Sequence, residues 1–541
     1  MEITGNIVLI EEKEIKPGKV FVENGRISNI VFDNNHYDNY ILPGLIDSHV
    51  HIESSMMTPE NFGEIALKKG SVAVVSDPHE IANVLGTEGI DYMMENAKKT
   101  PLKIFFGIPS CVPATEFETS GATLSSKEIK TLLQRKTVVV LSEMMNFPGV
   151  VSEDPEIMRK IEAAKDLKKP IDGHAPGLTG SNLKKYIAAG IKTDHECATI
   201  DEALEKIALG MKILIREGSA ARNFEALYKL IDSHTDNVML CTDDSHPDEL
   251  LEKGHIDKIV KLGIKKNINI YNLLKVACIN PVKFYNLSVG LLKIGDAADF
   301  IVVDNLNDFN VLETYINGNP VNNKKNISQS NTIVNYFNAE KINEQAIRIV
   351  YHKKEIVINA IKAFDGDLFT KKIKAVIPVK DGNVVSDETQ DLLKIVVLNR
   401  YEKNITPAVG FINGFGLKQG AIASTIAHDS HNIIAVGTSD SLLCNVINML
   451  IDSKGGIAAV NNDGRKLLLP LPIAGLLSNK PVETIAEKYK ELNHLVLKMG
   501  SKMQAPFMTL SFMALPVIPE IKITDKGLFD TEIFNFVQLI R

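Results

Sequence analysis

The sequence predicts an α/β protein built on a metal-dependent (β/α)8 barrel of the TIM type, with a small composite β-sandwich domain and an additional C-terminal α/β domain. Eight apolar runs that end in polar residues lead to this prediction, because buried parallel strands have this pattern. The runs lie at residues 41–51, 71–78, 103–110, 137–144, 170–175, 191–196, 211–218 and 237–244. Amphipathic stretches such as "LKKYIAAG" and "IDEALEKIALG" separate the later runs, as crossover helices would. In such a barrel the chemistry is expected at the carboxyl ends of the strands.

Two β-rich segments flank this series and define the remaining domains. The first contains "NIVLI" and "GKVFVENGRISNIVF", with a hairpin-type turn at "ENGR", and the second is "GLLKIGDAADFIVVDNLNDFNVLETYINGNPV". We expect them to pair as one discontinuous domain, residues 1–44 plus 288–322, around a barrel of residues 45–287; two separate hairpins are the alternative. The polar stretch "NNKKNISQSN", residues 322–331, predicts a linker. Strands such as "EIVINAIKAF" and "NIIAVGTS" predict a further domain over residues 330–541.

Composition and charge argue against several classes of protein. The 541 residues are 45% hydrophobic and 23% charged, as in soluble globular proteins, and the net charge of −7 argues against a nucleic-acid partner. The five cysteines are scattered and form no C-x-x-C pair, which favours a reducing, cytoplasmic location. The N-terminus lacks the pattern of a signal peptide, and no uninterrupted apolar stretch of about 18 residues occurs, so no membrane span is expected.

Side chains that bind metals stand at the ends of the apolar runs. The first run ends in His49 and His51, and because residues i and i+2 of a strand point the same way, both histidines face one centre. The fourth, fifth, sixth and eighth runs end in Glu143, His174, His195 and Asp243. A single histidine at a strand end is usually solvated or hydrogen-bonded. Six such residues at ends that converge predict a metal centre.

The types of these side chains narrow the choice of metal. Imidazoles and carboxylates without a thiolate suit zinc, manganese or iron. Six protein groups exceed what one tetrahedral ion needs, and a carboxylate such as Glu143 can give one oxygen to each of two ions, so a binuclear centre is expected. Such a centre lowers the pKa of bound water and holds hydroxide ready at neutral pH. Asp243 would then accept and return protons.

The segments "PGLIDSHVHIE", "TDD" and "LKIGDAADFIVVD" resemble the amidohydrolase superfamily over roughly residues 1–320. This resemblance implies roles for the residues at the strand ends. His49 and His51 would bind one ion, His174 and His195 the other, and Asp243 would bind metal and move protons. Many members of the superfamily bridge their ions with a carboxylated lysine on the fourth strand. This chain has Glu143 there, which argues against a typical dihydroorotase or hydantoinase.

Further stretches resemble the adenine deaminase family within that superfamily. They are "HVHIESSMMTPENFGEIALKKGSVAVVSDPHEIANVLG", "SEMMNFPGVV", "DGHAPGL", "TDHE", "CTDD" and, in the long C-terminal region, "HDSHNIIAVG". The resemblance implies hydrolytic deamination of adenine to hypoxanthine and ammonia, in purine salvage or catabolism, with hydroxide adding to C6. It also implies two divalent ions, Mn2+ or Fe2+ with Zn2+ as a further possibility, and no organic cofactor. Free adenine is then the expected partner, and the chain is expected to form a homo-oligomer, a dimer or larger.

Two alternatives stay open on the sequence. Another glutamate-bridged amidohydrolase, such as an N-acetyl amino-sugar deacetylase or a cyclic amidase, would share the ligands but not the further matching stretches. A non-catalytic assembly protein on the same scaffold should have lost ligands, whereas this chain retains all of them. The H-x-E…P-C-x-x-C signature of zinc deaminases that act on bases in nucleic acids does not occur, which favours a free base as the substrate.

Three residues near the first two strand ends have competing interpretations. Asp77 and His79 in "SDPHEIAN" are candidates for a catalytic and a substrate-binding role, but Asp before Pro can also begin a helix. Glu53 either contacts substrate or forms a hydrogen bond within its loop. Asn83 stands where a metalloprotease motif H-E-x-x-H would have its second histidine, so a protease is rejected.

The C-terminal region contains one comparable cluster, "HDSHN", formed by His428, Asp429 and His431. These side chains either reach over the barrel to bind the purine, in the same subunit or in a partner, or form a structural turn before the strand "IIAVG". The glycine-rich stretch at residues 451–464 has no GKS/T or GxGxxG spacing, so no phosphate site is expected there.

Overall fold

The structure, a computed structural model, describes residues 1–219, 221–321, 332–365 and 367–540. The predicted linker at residues 322–331 lies outside the described residues. The chain divides into two units. The first comprises Met1–Pro78, Met93–Ser110 and Ser125–Ser330, and the second comprises His79–Tyr92, Cys111–Leu124 and Asn331–Arg541. The predicted division into a small β domain, a barrel and a C-terminal domain remains a prediction.

Eight parallel strands form a closed barrel in the first unit. They are Leu45–His51, Ser71–Ser76, Lys103–Ile108, Val138–Met144, Ile171–Gly173, Thr193–Asp194, Lys212–Arg216, and Val238–Cys241 continued by Asp243–Asp244. Neighbouring strands pair in parallel, and the backbone N–H of Lys192 donates to the carbonyl of Ile171 (2.9 Å) between the fifth and sixth. Asp243 pairs with Val50 and so closes the eighth strand onto the first. The predicted barrel is confirmed, and each predicted apolar run contains a strand.

Helices follow the strands along the chain, as the amphipathic stretches predict. The helices up to residue 285 are Pro59–Lys68, His79–Leu85, Thr87–Ala97, Ser126–Leu133, Phe147–Val151, Pro155–Asp166, Gly180–Ala188, Ile200–Ala208, Phe224–Leu227, Leu230–Ser233, Pro247–Glu252, Ile256–Lys265, Ile270–Leu274 and Asn280–Tyr285. Helix Ser126–Leu133 shows why they form. Ser125 and Glu128 form a reciprocal capping box at its start, and Leu132 and Leu133 are buried on one face.

A seven-stranded sheet in the same unit combines both β-rich segments. Its strands are Glu2–Leu9, Glu14–Glu23, Arg26–Phe32, Tyr40–Pro43, Phe300–Val303, Val311–Ile316 and Asn319–Pro320. Phe300 pairs antiparallel with Pro43, which joins the early and late segments in one sheet. Asn24 and Gly25, at the centre of "ENGR", have φ of 49° and 76°, as a tight hairpin turn requires. Side chains from both segments, including Ile7 and Phe300, share one hydrophobic core.

The second unit contains a nine-stranded mixed sheet with helices, an α/β arrangement as predicted. The strands are Glu355–Lys362, Lys371–Lys380, Asn383–Val384, Leu392–Leu398, Ala408–Asn413, Ala421–Ser424, Ile433–Gly437, Gly456–Val460 and Lys466–Pro470. Helix Asp440–Ser453 packs on this sheet through Val446 and Leu450. Helices Val482–Lys498 and Pro506–Phe512 and a sheet of Ile521–Thr524, Gly527–Asp530 and Asn535–Phe536 follow. Within the described residues, no helix combines the length and the hydrophobicity that crossing a membrane requires.

Candidate metal centre

The first barrel strand ends in two histidines whose imidazole rings are in contact. The Nε2 atoms of His49 and His51 are 3.1 Å apart, because the two residues alternate with Val50 and point to the same side of the strand. His51 Nδ1 donates to the carbonyl of Asp77 (3.1 Å), since a carbonyl can only accept. In the neutral ring the lone pair of His51 then lies on Nε2, the nitrogen that faces His49, Glu143 and Asp243.

Glu143 lies between the histidine pairs and turns one oxygen to each. Its Oε1 is 3.3 Å from His51 Nε2, whereas its Oε2 is 2.8 Å from His174 Nδ1 and 3.3 Å from His195 Nε2. The fourth strand delivers this carboxylate, and the fifth and sixth strands deliver His174 and His195. A carboxylate with its two oxygens on different sets of imidazoles has the arrangement needed to bridge two ions.

Asp243 completes the cluster from the eighth strand. Its Oδ1 is 3.0 Å from His51 Nε2 and 3.4 Å from His49 Nε2. The residue has a φ of 57°, in the left-handed region that is costly for a residue with a side chain. Thr242, just before it, is held through its backbone N–H, which donates to Asp47 Oδ1 (3.1 Å). This local conformation interrupts the strand and turns the Asp243 carboxylate toward the two histidines.

The donor set fits divalent cations. All six residues are at most 9% exposed. The ligand atoms of His49, His195 and Asp243 lie within 4.8 Å of one another, as do those of Glu143, His174 and His195. His174 Nε2 is buried and makes no hydrogen bond to any residue that the structure describes. Burial lowers the pKa of His195, but Glu143 and Glu196 outweigh it, and the net pKa lies well above the ordinary value. A buried nitrogen without a partner and a strongly negative surrounding both favour a bound cation.

Two charged residues at the centre were missed by the sequence analysis. Arg216, the last residue of the seventh strand, places Nη1 2.6 Å from Asp243 Oδ2 and 2.5 Å from Glu196 Oε1, with Nη2 3.1 Å from Glu196 Oε2. Glu196 Oε1 in turn is 3.3 Å from His195 Nε2. Glu196 ends the predicted sixth run and Arg216 lies near the end of the seventh, so the strand-end rule that identified the histidines could have found them.

Arg216 also determines the ionisation of Asp243. Burial by itself raises the pKa of the Asp243 carboxyl, but the Arg216 guanidinium and hydrogen bonds with His49 and His51 outweigh burial. The net pKa of Asp243 lies well below its ordinary value. Asp243 is therefore an ionised hydrogen-bond acceptor, with Oδ2 held by Arg216 and Oδ1 facing the histidines.

Buried polar contacts fix the backbone on either side of the ligands. The backbone N–H of His174 donates to the hydroxyl of Tyr186 (3.1 Å), which donates to the carbonyl of Met144 (2.7 Å), next to Glu143. Lys206 Nζ donates to the carbonyl of Ala175 (2.8 Å) and to Asp194 Oδ2 (2.9 Å), and it also pairs with Glu202. These contacts tie together the ends of the fourth, fifth and sixth strands, as a metal centre requires.

The remaining predicted residues lie in different places. Glu53 is buried in the short 3-10 turn Ile52–Ser55, directly after the first strand, and Asp77 approaches the centre through its carbonyl contact with His51. The four other predicted residues, His79, His428, Asp429 and His431, belong to the second unit. There they gather around Glu80, which the sequence analysis did not single out.

Two family models match this chain. A closed parallel barrel with imidazoles and carboxylates at its strand ends is the architecture of the amidohydrolases, and the model of the amidohydrolase family matches residues 40–321. A second model, described as the adenine deaminase C-terminal domain, matches residues 367–535. The chain belongs to the adenine deaminase family, and the resemblance seen in the sequence is confirmed at both levels.

The relatives are similar over the whole chain. The chain is 52% identical to the adenine deaminase of Methanosarcina barkeri, with 96% of each chain covered. It is 50% identical to the adenine deaminase of a Sulfurovum species over all of both chains, and 46% identical to that of Borreliella burgdorferi over 99% of each. The similarity thus extends through the second unit as well as the barrel.

Proposed function

We propose that the protein catalyses the hydrolytic deamination of adenine to hypoxanthine and ammonia. The single observation that supports this chemistry is the position of the Glu143 carboxylate. One of its oxygens faces His51, and the other faces His174 and His195. The substrate is inferred from relatives named adenine deaminase that match nearly the full chain. An amino-sugar deacetylase or a cyclic amidase is not favoured, because the similarity includes the adenine deaminase C-terminal domain.

The residues proposed to hold two divalent ions are those at the strand ends. His49 and His51 would hold one ion and His174 and His195 the other, with Glu143 placed to serve both and Asp243 as a further ligand. Bound ions would lower the pKa of a water molecule and polarise the substrate. Mn2+ or Fe2+ is the choice that the family resemblance favours. Zn2+ is compatible with the same donor set.

Asp243 moves the protons in the proposed reaction. Its Oδ1 is free of Arg216 and accepts a proton from the water that attacks C6, while an O–C6 bond forms. The same oxygen then returns the proton to the amino nitrogen, the C6–N bond breaks, and ammonia leaves. Arg216 holds Oδ2 throughout, so that the carboxylate cannot rotate away from the histidines. Charge and atoms balance, because water supplies the oxygen and the protons.

Further residues are proposed to take part in catalysis or to bind the substrate. Asp77 is proposed to assist catalysis, as the sequence predicts. The residues proposed to contact the purine, also from the sequence, are Glu53, His79, His428, Asp429 and His431. Cytoplasmic location, a homo-oligomeric state and the lack of a nucleic-acid partner also remain predictions from the sequence.

Release of ammonia tests the proposed function. Protein loaded with Mn2+ is incubated with adenine, and hypoxanthine and ammonia are measured in parallel. Adenosine, an N-acetyl amino sugar and a cyclic amide serve as comparison substrates. Turnover of adenine is the expected result. No ammonia from adenine, with turnover of the amino sugar or the cyclic amide, would refute it.

A further inference from the structure

A buried carboxylate connects the first and eighth strands of the barrel beside the proposed metal ligands. Asp47 lies two residues before His49 in strand Leu45–His51 and is fully buried. Its Oδ1 accepts the backbone N–H of His49 (3.2 Å) and that of Thr242 (3.1 Å). Thr242 directly precedes Asp243. One oxygen of Asp47 is therefore hydrogen-bonded to the backbone at one proposed ligand and next to another, across two strands.

The second oxygen of Asp47 is held from two further directions. The hydroxyl of Thr242 donates to Oδ2 (2.5 Å), and Nε2 of His255 lies 2.8 Å from the same oxygen. The His255 ring is not aligned for a straight hydrogen bond, so this is a close polar contact between the ring and the carboxylate. Donors at both oxygens stabilise a carboxylate that water does not reach. Together they fix the orientation of the Asp47 side chain.

His255 is held in turn by contacts of its own. Ser71 begins the second barrel strand, and its hydroxyl is 2.6 Å from His255 Nδ1. The backbone N–H of His255 donates to Asp257 Oδ1 (2.7 Å), and the ring of Phe62 meets the imidazole edge to face, with centroids 5.4 Å apart. When Nδ1 accepts the Ser71 hydroxyl, the proton of the neutral ring is on Nε2, the nitrogen beside Asp47.

The backbone of Asp243 needs such support because it is strained. Its φ of 57° is in the left-handed region, which a residue with a side chain adopts only where the surroundings maintain it. Arg216 holds the Asp243 side chain through Oδ2, whereas Asp47 holds the preceding residue, Thr242, through two hydrogen bonds. If Asp47 rotated, both of these bonds would be lost and the Asp243 backbone could relax. Oδ1 of Asp243 would then leave its position 3.0 Å from His51 Nε2.

We propose that Asp47 is a positioning residue for the metal centre, kept in its orientation by His255 and Ser71. These three residues, which we call the Asp47 network, set the backbone at His49 and Asp243 and thereby the distances among the ligand atoms. Their types match those of a serine hydrolase triad, but all three are 0% exposed, so the serine cannot reach a substrate. The effect on turnover rests on the proposed deaminase function, whereas the effect on metal affinity does not depend on the substrate.

Two substitutions of His255 test the proposal, with Mn2+ as the probe. His255→Phe keeps an aromatic ring beside Phe62 but removes both nitrogens, whereas the amide of His255→Gln can again donate to Asp47. Residues that orient metal ligands typically contribute about 10–100-fold to metal affinity or activity. We expect His255→Phe to weaken Mn2+ binding and to lower kcat at saturating Mn2+ by factors of that order, with the KM for adenine little changed. His255→Gln should recover much of both losses.

Asp299→Asn is the matched control for the loss of a buried polar network in the same unit. Asp299 is fully buried, pairs with Lys103 (2.5 Å) and accepts the backbone N–H of Gly290 (3.0 Å). Its substitution should lower the free energy of unfolding without changing the Mn2+ affinity or kcat. Chemical denaturation measures stability, competition with a chelator measures Mn2+ affinity, and ammonia release gives kcat and KM.

Two results with the His255 variants would overturn the proposal. One is a His255→Phe protein that loses stability, as the control does, but keeps the Mn2+ affinity and kcat of the wild type. The other is equal loss in His255→Phe and His255→Gln, because the contact with Asp47 would then not matter.

Ser71→Ala covers the case in which His255→Phe does not fold, because it removes one hydroxyl and leaves the imidazole in place. It should lower Mn2+ affinity and kcat in the same direction by smaller factors, and wild-type values for both would overturn the proposal. The Mn2+ measurement needs no substrate. Absence of ammonia release by the wild type would therefore refute the deaminase function, while the Mn2+ affinities would still decide the role of Asp47.

Discussion

Substitution of Arg216 by methionine is the sharpest test of how the centre is built. The guanidinium makes three short contacts, to Asp243 Oδ2 (2.6 Å), Glu196 Oε1 (2.5 Å) and Glu196 Oε2 (3.1 Å), and all three residues are buried. Removing it leaves two buried carboxylates without their cation. Breaking a buried pair from one side costs about 3–5 kcal/mol of unfolding free energy. We expect a loss of that size in protein stripped of metal.

Metal should reduce this loss, because bound divalent ions supply positive charge to the same carboxylates. Activity should nevertheless fall, since Asp243 Oδ2 is no longer held. Residues that orient metal ligands typically contribute about 10–100-fold to metal affinity or activity, and a decrease of that order is expected in kcat/KM. Arg216→Lys should recover part of the stability but less of the activity, because a lysine cannot bind Glu196 with two nitrogens.

Chemical denaturation of metal-free and Mn2+-loaded protein, followed by far-UV circular dichroism, measures the stability difference, and ammonia release measures kcat/KM. Arg222→Met is the matched control. The Arg222 side chain is 42% exposed and pairs with Glu249 at 3.0 Å, so its removal should cost no more than about 1 kcal/mol. Equal losses for both arginines, or a loss for Arg216→Met that metal does not reduce, would refute the reasoning.

Three further predictions concern other parts of the molecule. His195→Ala and Asp243→Asn should each abolish ammonia release while circular dichroism stays like that of the wild type; near-normal turnover in either would mean that the site is misassigned. Lys206→Met should weaken Mn2+ binding by about 10–100-fold in competition with a chelator, whereas Lys394→Met, which removes another buried lysine, should destabilise the fold without changing the affinity. Burial lowers the pKa of Lys522 from 10.5 to about 7. Between these two pH values the unfolded chain binds a proton at Lys522 that the folded state has released, so the free energy of unfolding rises with pH. The wild type should therefore become more stable relative to Lys522→Met as the pH rises from 7 to 10. A constant difference between these two proteins across that range would contradict the shift.

Much of the barrel and its centre follows from local patterns. The strand containing His49 and His51 is recognisable because an apolar run ends in polar residues, and the two-residue spacing of a strand directs both rings to one side. Parallel strands place their carboxyl ends at one edge, so Glu143, His174 and Asp243 could be expected at the same place. These inferences need only the chain's own periodicity and the geometry of a closed barrel. Each of these patterns involves only neighbouring residues, so it can be recognised in the sequence.

Other contacts depend on how distant segments pack, because no local pattern encodes them. Arg216 holds Asp243 and Glu196, which are 27 and 20 positions away, and the fork of its guanidinium selects one oxygen of Asp243. Glu80 meets His431 across 351 positions, so its role depends on how the two segments pack in the second unit. Local patterns therefore specify which strands form and which ligand types end them. Only the folded chain decided which charges pair, because pairing depends on distances of a few ångströms between residues far apart in sequence.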